Sequence, residues 1–194
     1  MNVLEAIYAR QSVRAYQDKN IEPEQLEAIL AAANQSPSAG NVQGYEIVLL
    51  RDHGQISALA GHTFNQAFIA QAPVVLVFCA DPARSGAKYG AAGEQLFCIQ
   101  DATIATAYAQ LAATALGLAT CWIGAFEEPR VADFLGLRAG LRPVAILPIG
   151  WPAETPPRLP RRELRELVRE FSSTTATAST NRTPDGDSVS FAGG

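Results

Sequence analysis

Three short stretches of the chain collect side chains that could grip an anion or lie against a flat ring. The first is Arg10-x-Ser12-x-Arg14. In an extended segment, residues two apart point the same way, so two guanidinium groups and a hydroxyl would converge on one point. That donor set suits a phosphate, although ordinary surface arginines have the same spelling. The second stretch is Pro37-Ser38-Ala39-Gly40-Asn41-Val42-Gln43, whose small side chains let backbone N–H groups approach a flat or anionic ligand. A plain helix-to-strand turn reads the same way. The third is Cys121-Trp122-Ile123-Gly124-Ala125-Phe126-Glu127, a buried strand ending in glycine. Strand ends are where open sheets bind ligands, but an aromatic there also serves as core. A further basic group, Arg158, Arg161 and Arg162, follows the turn Gly150-Trp151-Pro152 and is equally compatible with a solvated helix start.

Side-chain nucleophiles and metals are poorly represented. Cys79, Cys98 and Cys121 are an odd number at long spacings in apolar surroundings, which suits small buried hydrophobes rather than a disulfide framework or a metal site. His53 and His62 have no ligand or triad partner at a recognisable spacing and read as surface or loop residues. No GxSxG, HExxH, GxxxxGK[ST] or GxGxxG is present, so neither a hydrolase elbow nor a Rossmann dinucleotide site is indicated.

The elements that must position these stretches follow from periodicity and punctuation. Asn2 caps a first helix over 2–9, with Glu5 three residues on. Pro23 opens a second through about residue 33, and strand 45–50 follows the small-residue loop. A weakly patterned helical region covers 55–70, and a continuous β-branched run over 74–79 reads as a strand buried on both faces. Residues 94–116 form a long alanine-rich helix stopped by Gly117. A short strand at 119–123, a short helix at 129–135, a buried strand at 144–147 closed by Pro148, and a charged helix at 161–171 complete the pattern. Helices and strands mix in an α+β or three-layer α/β/α arrangement.

A chain of 194 residues predicts one domain, or one domain with an appendage. The net charge of −4 argues against a nucleic-acid grip, while 48% hydrophobic and only 18% charged residues leave more apolar surface than a small monomer needs. That surplus must enter a membrane, a subunit interface or a cofactor pocket. The charge-free run between Asp101 and Glu127 is long enough for a bilayer, but it carries Gln110, Thr103, Thr106, Thr114 and Thr120, and no Lys or Arg cluster flanks it. No membrane span is expected. The start of the chain has no basic segment followed by an apolar run, so the expected location is cytoplasmic.

Taken together, and in this order, the motifs resemble the FMN-dependent nitroreductase family. The resemblance runs from Asn2 to about Phe171. Its residues are Ile7-Tyr8-Ala9-Arg10-Gln11-Ser12-Val13-Arg14, the loop Ser36 to Gln43, Phe64-Asn65-Gln66, Ile99-Gln100-Asp101, the stretch Ala115 to Phe126, and Gly150-Trp151-Pro152-Ala153-Glu154 before Arg161. It implies a three-layer α+β fold with a mostly antiparallel central sheet. It also implies a homodimer with FMN at the interface, and a domain spanning 1–171 followed by a Ser/Thr/Gly-rich tail, 172–194, that is disordered or extended. On this resemblance Arg10, Ser12 and Arg161 hold the FMN phosphate, and Arg14 reaches the ribityl chain or the N1/C2=O end. Pro37, Ser38, Ala39 and Asn41 line the site, largely from the other subunit, and Asn65 touches the pyrimidine edge. Trp122 and Ile123 cover one ring face, while Gly124 and Ala125 present backbone N–H groups to N5 and O4. No side chain acts as acid or base. The implied activity is NAD(P)H oxidation with ping-pong hydride transfer through flavin N5 to a nitroaromatic, quinone or similar small-molecule acceptor. Another reaction on the same fold, such as dehalogenation or ring oxidation, is an alternative, as is non-enzymatic flavin binding.

The sequence departs from the family pattern in places. Gln43-Gly44-Tyr45 stands where many members have Gln-Pro-Trp, and Phe68 where longer relatives often place a lysine. The stretch 81–93 is short compared with their lid-forming helical segment, which implies an open pocket. Glu163 replaces the usual proline before the last Leu-x-x-Val, leaving open whether Arg161 or Arg162 faces the phosphate. The helix over 94–116 is too apolar to be covered by so short a chain and is expected to pack across the dimer interface.

Overall fold

A capping box opens the first helix. The Asn2 side chain accepts from the Glu5 N–H at 2.9 Å, and the Glu5 carboxylate accepts from the Asn2 N–H at 2.8 Å, starting α1, Val3–Ala9. This is a computed structural model, which describes residues 1–64 and 66–171. The chain divides into two units, Met1–Arg158 and Leu159–Gly194.

The first unit is built on a sheet of four antiparallel strands in the order β1-β2-β4-β3: β1 Tyr45–Leu50, β2 Val74–Ala80, β3 Ala119–Thr120 and β4 Arg142–Gly150. β2 is buried along its whole length, as its β-branched run predicts. Alternation sends Val75, Val77 and Cys79 to one face, where they pack with Leu59 of α3, His53–Ala60, and Val131 of α6, Glu128–Phe134. Val74, Leu76 and Phe78 go to the other face. There they meet Leu26 and Ile29 of α2, Pro23–Asn34, and Ala105, Ala109 and Ala113 of α5, Cys98–Ala115. Helices on both faces of the sheet make the three layers of an α+β fold. α5 ends as Gly117 predicts: Gly117 has φ +79°, and the Leu118 N–H returns to the Ala113 carbonyl at 2.9 Å.

Several elements differ from their sequence reading, each for a local reason. The expected helix over 55–70 is α3, capped by Asp52, followed by a turn and a 3₁₀ segment, Ala67–Gln71. Phe64 at φ +46° cannot continue a helix. The stretch 81–93, to which the sequence reading assigns no element, holds α4, Pro82–Ala92, capped by Asp81, and a π-helical turn, Gly93–Phe97, leads from it into α5. β4 runs through Pro148 instead of stopping before it. The expected strand over 119–123 is instead interrupted, pairing at Ala119–Thr120 and again only where Ile123 bridges Ile146. The shared register sets Cys121 opposite Pro148, which has no N–H to donate across the ladder.

The second unit is described over 159–171. Only Leu164–Leu167, α7, is helical where a helix over 161–171 is expected, and every described residue of the unit is exposed. A short helix draws its stability from packing, and these residues bury nothing. The tail expected at 172–194 lies outside the described residues.

Candidate functional site

Beyond α1 the chain extends alongside β3. Ser12 bridges Thr120 in parallel, and the Val13 N–H donates to the Thr120 carbonyl at 3.1 Å. Val13 and Tyr16 turn into the core, while Arg10 and Ser12 stay half-buried and Arg14 is exposed. Burial pushes the nearby Cys121 thiol up, the Arg14 and Arg10 charges pull it back, and Glu154 adds to the rise. The Arg14 backbone is held by Glu154, which accepts its N–H at 2.5 Å. Arg130, Arg138 and Arg142 are all paired with carboxylates. Among the described residues, Arg10 and Arg14 form no ion pair.

The loop 37–43 is held in a conformation that few residues favour. Gly40, Asn41 and Gln43 have φ values of +53°, +56° and +51°, in the left-handed region. Its ties come from several elements. Ser38 Oγ accepts from the Gln43 N–H at 3.0 Å, Arg84 Nε of α4 donates to the Val42 carbonyl at 2.7 Å, and Lys88 Nζ donates to the Gly40 carbonyl at 3.0 Å. Pro37, Ser38 and Ala39 line an open cavity of about 510 Å³ with Phe97, Asp101 and Ile104. Asn41 is exposed at the loop's tip. The α4 clamps were invisible in sequence because they depend on the kinked path from α4 into α5.

The third stretch divides at Ile123. Its side chain is 1% exposed within the core, and both its backbone groups pair with Ile146. Trp122 is half-buried, and Gly124 and Ala125 are exposed. Among the described residues, no backbone carbonyl accepts from the Gly124 or Ala125 N–H. Gln66, which sequence reasoning quoted without a role, ties this end down by donating to the Ala125 carbonyl at 2.8 Å and the Thr63 carbonyl at 2.9 Å. The Glu127 N–H adds a bond to the His62 carbonyl at 3.1 Å. Asn65 lies outside the described residues. Phe68 packs against the core beside Ile69.

Arg161 and Arg162 belong to the second unit. Arg162 Nε contacts Glu166 Oε2 at 3.3 Å, whereas Arg161 is in no ion pair among the described residues. The three thiols are buried and unpaired, as their apolar settings predict. His53 is exposed, and the His62 ring lies 5.5 Å from Phe134 in the turn after α3. Among the described residues, no helix is long and apolar enough to cross a membrane.

Comparison with known proteins places this geometry. The nitroreductase family model matches residues 7–62 and 54–151. The oxygen-insensitive NADPH nitroreductase of Salmonella typhimurium is 32% identical over 174 residues, covering 86% of this chain and 72% of that protein. The Bacillus subtilis FMN reductase (NAD(P)H) is 33% identical over 177 residues, covering 82% of this chain and 69% of that protein. The solved structure of B. megaterium NfrA2 superposes with a TM-score of 0.81 at 30% identity, covering 89% of this chain and 75% of that one. With a family match over most of its length and the three-layer antiparallel fold, this chain belongs to the nitroreductase family.

Proposed function

We propose that the chain is an FMN-dependent NAD(P)H oxidoreductase that works as a homodimer and passes electrons to a small-molecule acceptor such as a nitroaromatic or a quinone. One observation carries the reading: the segment Arg10-x-Ser12-x-Arg14, whose two arginines form no ion pair among the described residues, runs alongside the strand that leads to an exposed Gly124–Ala125 backbone. The donor set fits the group. Guanidiniums and a hydroxyl match a phosphate, and backbone N–H groups without protein carbonyl acceptors suit the polar edge of a flavin. When bound, FMN supplies the centre that takes a hydride from NAD(P)H at N5 and gives it up to the acceptor.

The chain's own part is to bind and orient. Arg10 and Ser12 hold the phosphate, and Arg14 reaches the ribityl chain or the N1/C2=O end, where a cation stabilises negative charge on the ring. Trp122 covers one ring face, and Gly124 and Ala125 donate toward N5 and O4. Pro37, Ser38, Ala39 and Asn41 line the site from the other subunit, with Asn65 at the pyrimidine edge. The FMN-binding domain extends to residue 171. A dimer is supported by apolar surface left uncovered: Val3, Leu4, Ile7 and Tyr8 on α1, and Tyr108 on α5, are all exposed. The working location is the cytoplasm, where three unpaired thiols stay reduced.

The deciding experiment is anaerobic titration of flavin-loaded protein with NADH and with NADPH, following the flavin's visible absorption. Bleaching by one or both is expected. Purified protein that binds no added FMN, or bound flavin that neither nicotinamide reduces, would sink the proposal.

A further inference from the structure

We infer that Asp101 is a positioning residue for the flavin site, its carboxylate fixing both ends of the loop that lines it. The inference rests on the functional reading above, in which the loop 37–43 contacts FMN. Asp101 sits in the first turn of α5 and is 2% exposed. Oδ1 accepts from the Ala39 N–H at 3.0 Å, and Oδ2 accepts from the Gly44 N–H at 3.1 Å. Among the described residues no Lys or Arg pairs with it, so this buried charge is compensated by backbone donors of the loop rather than by a cation.

The placing of those donors is what matters. Ala39 and Gly44 bracket the segment containing Gly40, Asn41 and Gln43, all in the left-handed region. Such backbone persists only where its surroundings over-determine it, and a two-oxygen acceptor anchored in a core helix pins both ends at a set separation. Residue 44 must also be small for this. A Cβ there would lie 3.2 Å from Asp101 Oδ2 and 3.1 Å from Ser85 Cβ. Gly44 also supplies the N–H that Oδ2 accepts, which a proline there could not. Pro37, Ser38 and Ala39 share a cavity with Asp101 itself, so any shift at the anchor is transmitted to the lining.

Asp101→Asn tests this with little change in shape, because the amide can accept one loop N–H but turns its own NH₂ toward the other. FMN affinity, measured by quenching of flavin fluorescence, should fall about tenfold or more, the equivalent of one charge-assisted hydrogen bond. The rise in Tm on adding FMN should shrink with it. Ile29→Val, a core change on α2 away from the loop, serves as the control for simple destabilisation. It should lower the Tm of the free protein yet leave FMN affinity within about twofold. Should Asp101→Asn not accumulate as folded protein, Ala39→Pro removes the Oδ1 donor from the loop side. Ser38 already has the extended dihedrals, φ −139° and ψ 158°, that precede proline, and a weaker grip on FMN is again expected. Asp101→Asn with wild-type FMN affinity, or in its absence Ala39→Pro with wild-type affinity, overturns the inference. Wild-type protein that binds no FMN would instead overturn the functional reading on which it rests.

Discussion

Arg10 and Arg14 form no ion pair among the described residues, whereas Arg138 is tied to Glu46 and Asp81, Arg142 to Glu128, Arg130 to Glu127 and Arg162 to Glu166. Replacing Arg10 by Ala should therefore lower FMN affinity by about tenfold to a hundredfold, the worth of one charge-assisted hydrogen bond. Circular dichroism should remain that of the folded protein, and unchanged affinity would mean the phosphate lies elsewhere. Residue types at short spacing made Arg10, Ser12 and Arg14 legible, because extended backbone aligns alternate side chains whatever lies around them. Nothing in Trp122-Ile123-Gly124 says which side chain faces the core, and it is the fold that buries Ile123 there.

At the level of elements, the loop 37–43 is held in shape by its neighbours: Ser38 from within, α4 from one side and α5 from below. Gly40 is its tightest point. It has φ +53°, and a Cβ there would collide with the Tyr89 hydroxyl and Lys88 Nζ of α4. Gly40→Ala should cost about 1–3 kcal/mol in urea denaturation, and it should weaken FMN binding as the loop relaxes. A midpoint equal to wild type would show that the loop is freer than its dihedrals imply. The elements themselves were mostly predictable, since caps, prolines and periodicity act over a few residues: Asn2 with Glu5, Pro23, and Gly117 all fall where they should. The interruption of the strand at 119–123 was not. It arises because register brings Cys121 opposite Pro148, and register is a long-range property.

For the whole molecule, two expectations follow from what is buried and what is left uncovered. Burial pushes the Cys79 thiol from 9.0 up to about 12, and it raises Cys98, Cys121 and Tyr16 as well. These groups are neutral in the folded core and ionise more readily when unfolded. The unfolded chain thus binds fewer protons above its own thiol pKa, and stability falls as pH rises. The stabilisation is fully present below 9.0 and is lost progressively towards about 12. Urea midpoints of reduced protein should drop over that range, and more gently for Cys79→Ala; identical slopes would exclude Cys79 as a source. The second expectation is a dimer at micromolar concentration in sedimentation velocity, with Tyr108→Glu shifting it towards monomer and lowering FMN affinity. A monomeric wild type would leave the exposed apolar side chains of α1, and Tyr108 of α5, unexplained. The apolar surplus, most helices and strands, the Arg10-x-Ser12-x-Arg14 triplet and the glycine stop at residue 117 were determined by the sequence alone, because each depends on neighbours a few positions away. Only the tertiary structure decided that Asp101 reaches up to Ala39 and Gly44, that α4 clamps the loop, that Gln66 holds Ala125, and that Arg10 and Arg14 form no ion pair among the described residues. Each of these joins, or leaves apart, groups distant in the chain, and folding alone sets the distance between them.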